Sequence, residues 1–152
     1  MSLDDLYREV ILDHYKSPRN TGQLEDPTWS VELNNPLCGD EIQVQAQVED
    51  GRIKAIRFQG RGCSISQASA SMMTELLEGK TVNEAEALID DFKLMIQGQP
   101  HEHDLGDLEA LQGVSRYPVR IKCATLSWNA VQKGMSAWKG ESDESGTNPN
   151  DG

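Results

Sequence analysis

The plainest pattern in the chain lies at residues 41–49, where Ile42, Val44, Ala46 and Val48 alternate with Gln43, Gln45 and Gln47. A period of two puts the apolar set on one face and the glutamines on the other, as in a half-buried strand. Asp50-Gly51 comes next. Glycine accepts positive φ without steric cost, so this pair predicts a tight hairpin. The returning strand spans residues 52–59. Its apolar phase slips between Ile53 and the pair Ile56 and Phe58, which predicts a bulge. A weaker alternation over residues 29–33 supplies a third strand. The expectation is an α+β fold: a small three-stranded antiparallel sheet with one polar face and helices packed on the other.

Elsewhere the period is helical. Leu6, Val10, Ile11 and His14 share a face of a first helix over residues 3–16, with Ser2 and Asp5 as a capping pair and Ser17-Pro18 as its end. After Gly60-Arg61-Gly62-Cys63, the stripe Ile65, Ala68, Met72 and Leu76 predicts a second helix that stops before Gly79. Thr81 and Glu84 read as a capping box for a third, with Val82, Ala85, Leu88, Phe92 and Ile96 inward and Gly98 and Pro100 beyond its end. Residues 99–116 form a long connector with one short helical turn near Leu108. Pro118 suits the first turn of a last helix, which runs through Leu126, Ala130, Val131, Met135 and Trp138. Met72, Met73 and Met95 are expected in the core.

Composition narrows the possibilities. With 152 residues the chain fits one domain, expected over residues 1–139, and such a domain can bury about 68–70% of its unfolded surface. Aromatic residues are scarce at 5%, so aliphatic residues and Met must supply most of the core. The net charge is −11; four of the acids, with no base, lie in residues 140–152, a Gly/Ser/Asn-rich stretch expected to be a disordered tail. That balance argues against nucleic acid as a partner, because phosphate contacts need clustered Lys and Arg. It suits a basic protein partner or simple solubility equally well. No stretch is long and apolar enough to span a membrane. The acidic start Met1-Ser2-Leu3-Asp4-Asp5 is unlike a signal or transit peptide, so the cytoplasm is expected.

Three cysteines, an odd number, in a cytoplasmic protein favour metal binding or thiol chemistry over disulfides, although three unrelated buried thiols explain the count equally well. Cys38 lies in the turn-rich segment Asn34-Asn35-Pro36-Leu37-Cys38-Gly39-Asp40, Cys63 between a strand and a helix N-terminus, and Cys123 in the early turns of the last helix. There is no C-x-x-C pair, so spacing alone does not announce zinc. Cys63 has an independent argument. A helix N-terminus lowers a thiol's pKa, and Arg61 nearby acts in the same direction. The alternative for Cys63 is a small buried residue in a Ser/Ala-rich packing face. Asp40, two residues from Cys38, is the natural fourth ligand, or else a turn residue bonded to its own backbone. His101 and His103, in a polar loop beside Glu102 and Asp104, read as solvated.

Three stretches carry a resemblance: Leu37-Cys38-Gly39-Asp40; the run from Gly60-Arg61-Gly62-Cys63 through Ser64-Ile65-Ser66-Gln67-Ala68-Ser69-Ala70-Ser71; and Arg120-Ile121-Lys122-Cys123. Together with the order of elements, they resemble the NifU/IscU family of iron–sulfur cluster assembly proteins over residues 3–139. Within it the chain is similar to the SufU-type branch. IscU-type scaffolds carry His before the third Cys, where this chain has Lys122. They also carry a Leu-Pro-Pro-Val-Lys segment read by a chaperone, where this chain has Tyr117-Pro118-Val119-Arg120. The long connector before Tyr117 is another SufU-type trait. These departures argue against chaperone-assisted scaffold duty.

The resemblance implies one zinc on Cys38, Asp40, Cys63 and Cys123, and a sulfur relay. In that pattern a side chain of a SufS-type cysteine desulfurase takes a zinc position, and a freed cysteine attacks the desulfurase persulfide. Cys38 is the expected acceptor, because its Pro/Gly-flanked loop moves most easily. Arg120 matches a family position and is either a positioning residue or a surface charge. The sulfur then passes to downstream iron–sulfur assembly proteins. Three rivals remain: a scaffold building a [2Fe–2S] cluster on the same residues, a structural zinc module that binds a partner, and a zinc hydrolase. The last is disfavoured by four candidate ligands and the lack of H-E-x-x-H.

Overall fold

The computed structural model describes residues 3–36 and 39–139. Helix α1 (Leu3–Lys16) has the expected bounds, and strands β1 (Trp29–Asn35), β2 (Asp40–Glu49) and β3 (Arg52–Arg61) follow it. They pair antiparallel in the order β1-β2-β3. The hairpin turns at Asp50 and Gly51, with φ of 56° and 73°. Two consecutive positive φ values make the turn that matches strand twist. The predicted bulge is present: Gln47 pairs Ala55 but Val48 pairs Ile53, which leaves Lys54 as the extra residue. The bulge returns Ile53 to the buried side with Ile56 and Phe58.

Four helical segments complete the fold: α2 (Ser64–Leu77), α3 (Val82–Ile96), a 3₁₀ segment (Gly106–Arg116) and α4 (Pro118–Trp138). Thr81 and Glu84 form the expected capping box at the start of α3. α2 is the central helix, packed against α1, β3 and α4. Its buried face is unusually polar, and its hydroxyls are matched to partners. Ser69 Oγ donates to the Ala124 carbonyl at 2.6 Å and accepts from Trp128 Nε1 at 2.9 Å. Ser71 Oγ meets His14 Nδ1 at 2.8 Å and accepts the Arg19 amide at 2.9 Å. Small side chains let α4 lie close, and each hydroxyl replaces the hydrogen bonds it gave up to water. The core continues through Phe92 stacked on Trp128, with ring centroids 4.0 Å apart. Met72, Met73 and Met95 are buried in it, as is His14.

Several expectations need correction. β1 runs on to Asn35 and β3 to Arg61, which carries both strands up to the cysteine segments. The glutamine face is not simply solvated. Gln45 is buried, accepting from the Leu24 amide and donating to Ser30 Oγ, because the segment between α1 and β1 folds over that face. The connector holds eleven residues of 3₁₀ helix rather than one turn. Its histidines are not free in solvent: the His103 ring and amide both bond the Asp91 carboxylate on α3, and His101 lies 3.7 Å from Glu109. The Ser2–Asp5 cap and the tail 140–152 lie outside the described residues and side chains.

Candidate metal centre

Three elements converge at one end of the sheet. Asp40 opens β2, opposite Asn35 of β1, and the next β2 residue, Glu41, pairs with Arg61 at the end of β3. Two residues past Arg61 the chain turns into α2, with Cys63 as its N-cap. Cys123 follows in the second turn of α4, buried to 1% exposure like Asp40.

Glycine makes the approach possible. Gly60 and Gly62 have φ of 154° and 158°. A Cβ on Gly62 would stand 2.1 Å from Asp40 Oδ1, and one on Gly60 would stand 2.1 Å from the Glu41 carbonyl oxygen. Without those side chains, the Asp40 carboxylate lies against the backbone. Oδ1 accepts the Cys63 amide at 2.9 Å, and Oδ2 sits 3.9 Å from Cys63 Sγ. The first turn of α2 has no acidic side chain of its own, and the Cys63 side chain makes no cap hydrogen bond. Asp40 therefore supplies both the acceptor and the negative charge that a helix N-terminus favours.

Asp40, Cys63 and Cys123 each offer a ligand atom, and all three atoms lie within 4.8 Å of one another, the one group of this kind among the described residues. Donors on a tetrahedral zinc stand about 3.5–3.8 Å apart, from bond lengths near 2.0 Å to oxygen and 2.3 Å to sulfur. Two cysteine sulfurs and a carboxylate, two of the three groups buried, are the donor types that suit zinc. A buried charge is tolerated only when paired or bound to a metal, so the donors fit such an ion. The set leaves one tetrahedral position to fill. Cys38, the fourth ligand implied by resemblance, lies outside the described residues.

Arg61 has a carboxylate partner of its own. Its guanidinium is exposed and pairs with Glu41 at 3.2 Å, turned along the sheet edge. Arg120 is exposed in the first turn of α4, one turn before Cys123, so the two share a helix side. The glycines flanking Arg61 were missed as site residues; their signal was two glycines within three residues immediately before a cysteine.

The chain matches the NifU-like N-terminal domain over residues 6–144. It belongs to that family. Among its NifU/IscU relatives, the zinc-dependent sulfurtransferase SufU of Bacillus subtilis is 50% identical over 141 residues, covering 91% of this chain and 95% of SufU. The iron–sulfur cluster assembly scaffold protein IscU of Streptococcus pyogenes is 47% identical, over 88% of this chain and 84% of its own. A crystal structure of a SUF-system scaffold-type protein from Fervidobacterium islandicum superposes with a TM-score of 0.81 at 30% identity, covering 88% of this chain and 99% of that one. The NifU/IscU fold is therefore the fold of this chain, and its higher identity to SufU places it on the SufU side of the family.

Proposed function

We propose that this NifU/IscU-family chain is a sulfur acceptor in iron–sulfur cluster assembly. It takes sulfur from a SufS-type cysteine desulfurase on Cys38 and passes it to a later assembly protein in the cytoplasm. The observation that carries this reading is the convergence of Asp40, Cys63 and Cys123 to within 4.8 Å, in a chain half identical to a zinc-dependent sulfurtransferase. Cys38, Asp40, Cys63 and Cys123 would hold one zinc. Bound there, zinc keeps its thiols deprotonated and protected from oxidation without redox chemistry of its own.

The remaining chemistry belongs to the protein. Asp40 Oδ1 accepts the Cys63 amide and fixes the start of α2, which holds Cys63 in place. The Cys38 thiolate attacks the outer sulfur of the donor's persulfide. A sulfur–sulfur bond forms at Cys38, the donor's own breaks, and the donor cysteine leaves as thiolate. Arg120, exposed on the same side of α4 as Cys123, is suited to steer the incoming partner.

A second reading has its own support in the 47% identity to a scaffold IscU, which implies a [2Fe–2S] cluster on the same residues. Native mass spectrometry of air-free protein, before and after desulfurase and cysteine, separates the two. One zinc per chain followed by a sulfur adduct that Cys38→Ser abolishes supports the relay. Full labelling of Cys38→Ser would sink the acceptor assignment, and a two-iron, two-sulfur mass gain without persulfide would favour the scaffold.

A further inference from the structure

The chain is strongly acidic, yet one large cavity is lined by no acid. A hollow of about 910 Å³ opens between α1, the 3₁₀ segment and the start of α2. Its walls include Arg8, Leu12, Ile65, His101, Arg116 and Tyr117, and among the described residues none of those lining it is Asp or Glu. In a protein with 25 acidic and 14 basic residues, that is the reverse of the average surface.

The arginines sharpen the point. Arg19 pairs with Asp13, Arg57 with Glu78 and Arg61 with Glu41, and Arg52 donates to the Gly79 carbonyl. Among the described residues, the side chains of Arg8, Arg116 and Arg120 make no hydrogen bond or ion pair. Two of these, Arg8 and Arg116, line the cavity, and Arg120 follows Tyr117 of its wall by three residues. Large apolar side chains are exposed at the same place. Leu12 and Tyr15 follow Arg8 along α1 at i+4 and i+7, at 38% and 44% exposure. In the opposite wall Tyr117 is 58% exposed, and Val119, two residues on, is 50% exposed. Apolar side chains gathered with unpaired cations mark a protein contact rather than a solvated face. The contact is also well placed. Ser64 and Ile65 in the wall directly follow Cys63, and Tyr117 caps the helix that carries Cys123.

We propose that the sulfur donor docks by laying a short acidic and apolar segment into this cavity, its carboxylates on Arg8 and Arg116 and its apolar side chains on Leu12, Ile65 and Tyr117. This deepens the relay reading and rests on it, since the donor is the desulfurase proposed above. The chain's own residues 140–152 are the competing occupant. They carry acids but no large apolar side chain, so they match the charge and not the walls.

The test is calorimetric titration of the purified desulfurase into zinc-loaded full-length protein at two salt concentrations. Arg8→Glu with Arg116→Glu should weaken Kd about tenfold or more and flatten its salt dependence, as loss of complementary rim charges does. Arg8→Gln with Arg116→Gln, which keeps size and removes charge, should fall between, and Leu12→Ser should also weaken binding. Lys54→Glu reverses an exposed charge on β3, a strand that contributes nothing to the cavity lining, and should leave Kd unchanged. Deleting residues 140–152 should also leave it unchanged; a loss as large as that expected of the double Glu variant would put the docking determinant in that segment and overturn the proposal. If the double Glu variant binds as tightly as wild type with the same salt response, the docking site is wrong while the relay stands. If wild type neither binds the desulfurase nor gains sulfur from it, the relay reading falls and the docking proposal falls with it.

Discussion

The two oxygens of Asp40 divide their work at Cys63: Oδ1 accepts the Cys63 amide at 2.9 Å, while Oδ2 faces the Cys63 sulfur at 3.9 Å. One oxygen caps the helix and the other is placed to serve as a metal donor, and substitution can separate the two roles. Asn keeps a carbonyl oxygen for the amide but loses the anionic donor. Asp40→Asn should therefore bind zinc at least tenfold more weakly, yet once stripped of metal it should lose only the charge's share of helix stability, less than Asp40→Ala loses. Asp40→Ala loses both roles, and metal-free it should be less stable by about 1–2 kcal/mol. Chelator competition and thermal melts of metal-free protein read the two effects. Equal losses in Asn and Ala on both measurements would refute the division.

Gly62→Ala alters no donor atom, yet it should damage the centre. Its Cβ would stand 2.1 Å from Asp40 Oδ1 and 2.8 Å from Ser66 Oγ, with φ at 158°. Asp40 must then move away from Cys63 or the turn must open, a cost of about 1–3 kcal/mol. Zinc affinity should fall together with stability. Gly113→Ala is the control, because a Cβ there meets nothing within 4 Å. If the two alanine variants hold zinc equally well, close approach at Gly62 is not what shapes the site.

The contact between the connector and α3 gives stability an acid limb. Burial pushes the Asp91 carboxyl up, but the hydrogen bonds from the His103 ring and the His103 and Glu102 amides outweigh it, and the net pKa lies below the ordinary 3.8. A depressed carboxyl contributes stability that is fully present above its unfolded value, about 3.9, and is lost as pH falls through the lower folded value. Asp91→Asn removes this titration. The stability gap between wild type and Asp91→Asn should therefore be steady above about pH 5 and narrow below pH 4. Denaturant melts across that range would show it, and a gap that stays constant down to pH 2 would contradict it.

The sequence revealed what local periodicity encodes and hid what long-range packing decides. The alternation of Ile42, Val44, Ala46 and Val48, the Asp50-Gly51 turn, the Thr81–Glu84 box and the first-turn Pro118 each fix structure within a few residues, and each is present. Three of the four expected ligands, Asp40, Cys63 and Cys123, were legible as residues at element ends, and the fold brings them together. That Asp40 caps the helix beginning at Cys63 was not legible, because the two stand 23 residues apart and meet only through strand register. Gln45 looked solvent-facing by its period, yet the aperiodic segment before β1 covers it. The connector's 3₁₀ helix was also hidden. Its apolar residues Leu108, Ala110, Leu111 and Val114 form only a short stripe between Gly106 and Gly113, and the α3 face it packs against is set by the fold.

A last prediction concerns the packing that holds α4 against the sheet. Gly134 lies under the ring of Trp29, the first residue of β1, and a Cβ there would stand 2.3 Å from two ring carbons. Trp29 is 7% exposed and its Nε1 has no hydrogen-bond partner among the described residues, so packing holds the ring. A rigid indole cannot bend away as a flexible side chain would. Gly134→Ala must push α4 outward or turn the ring, and overpacking of this kind costs about 1–3 kcal/mol. In a domain of this size each kcal/mol lowers Tm by about 2–4 °C or slightly more. Trp29→Leu alone should also destabilise, by leaving a cavity, but it makes room for the new methyl. The double variant should therefore be more stable than the sum of the two losses implies, by roughly 1 kcal/mol or more. Strict additivity would mean that the cost of Gly134→Ala arises elsewhere in α4 and that the Trp29 ring is not the neighbour that demands glycine.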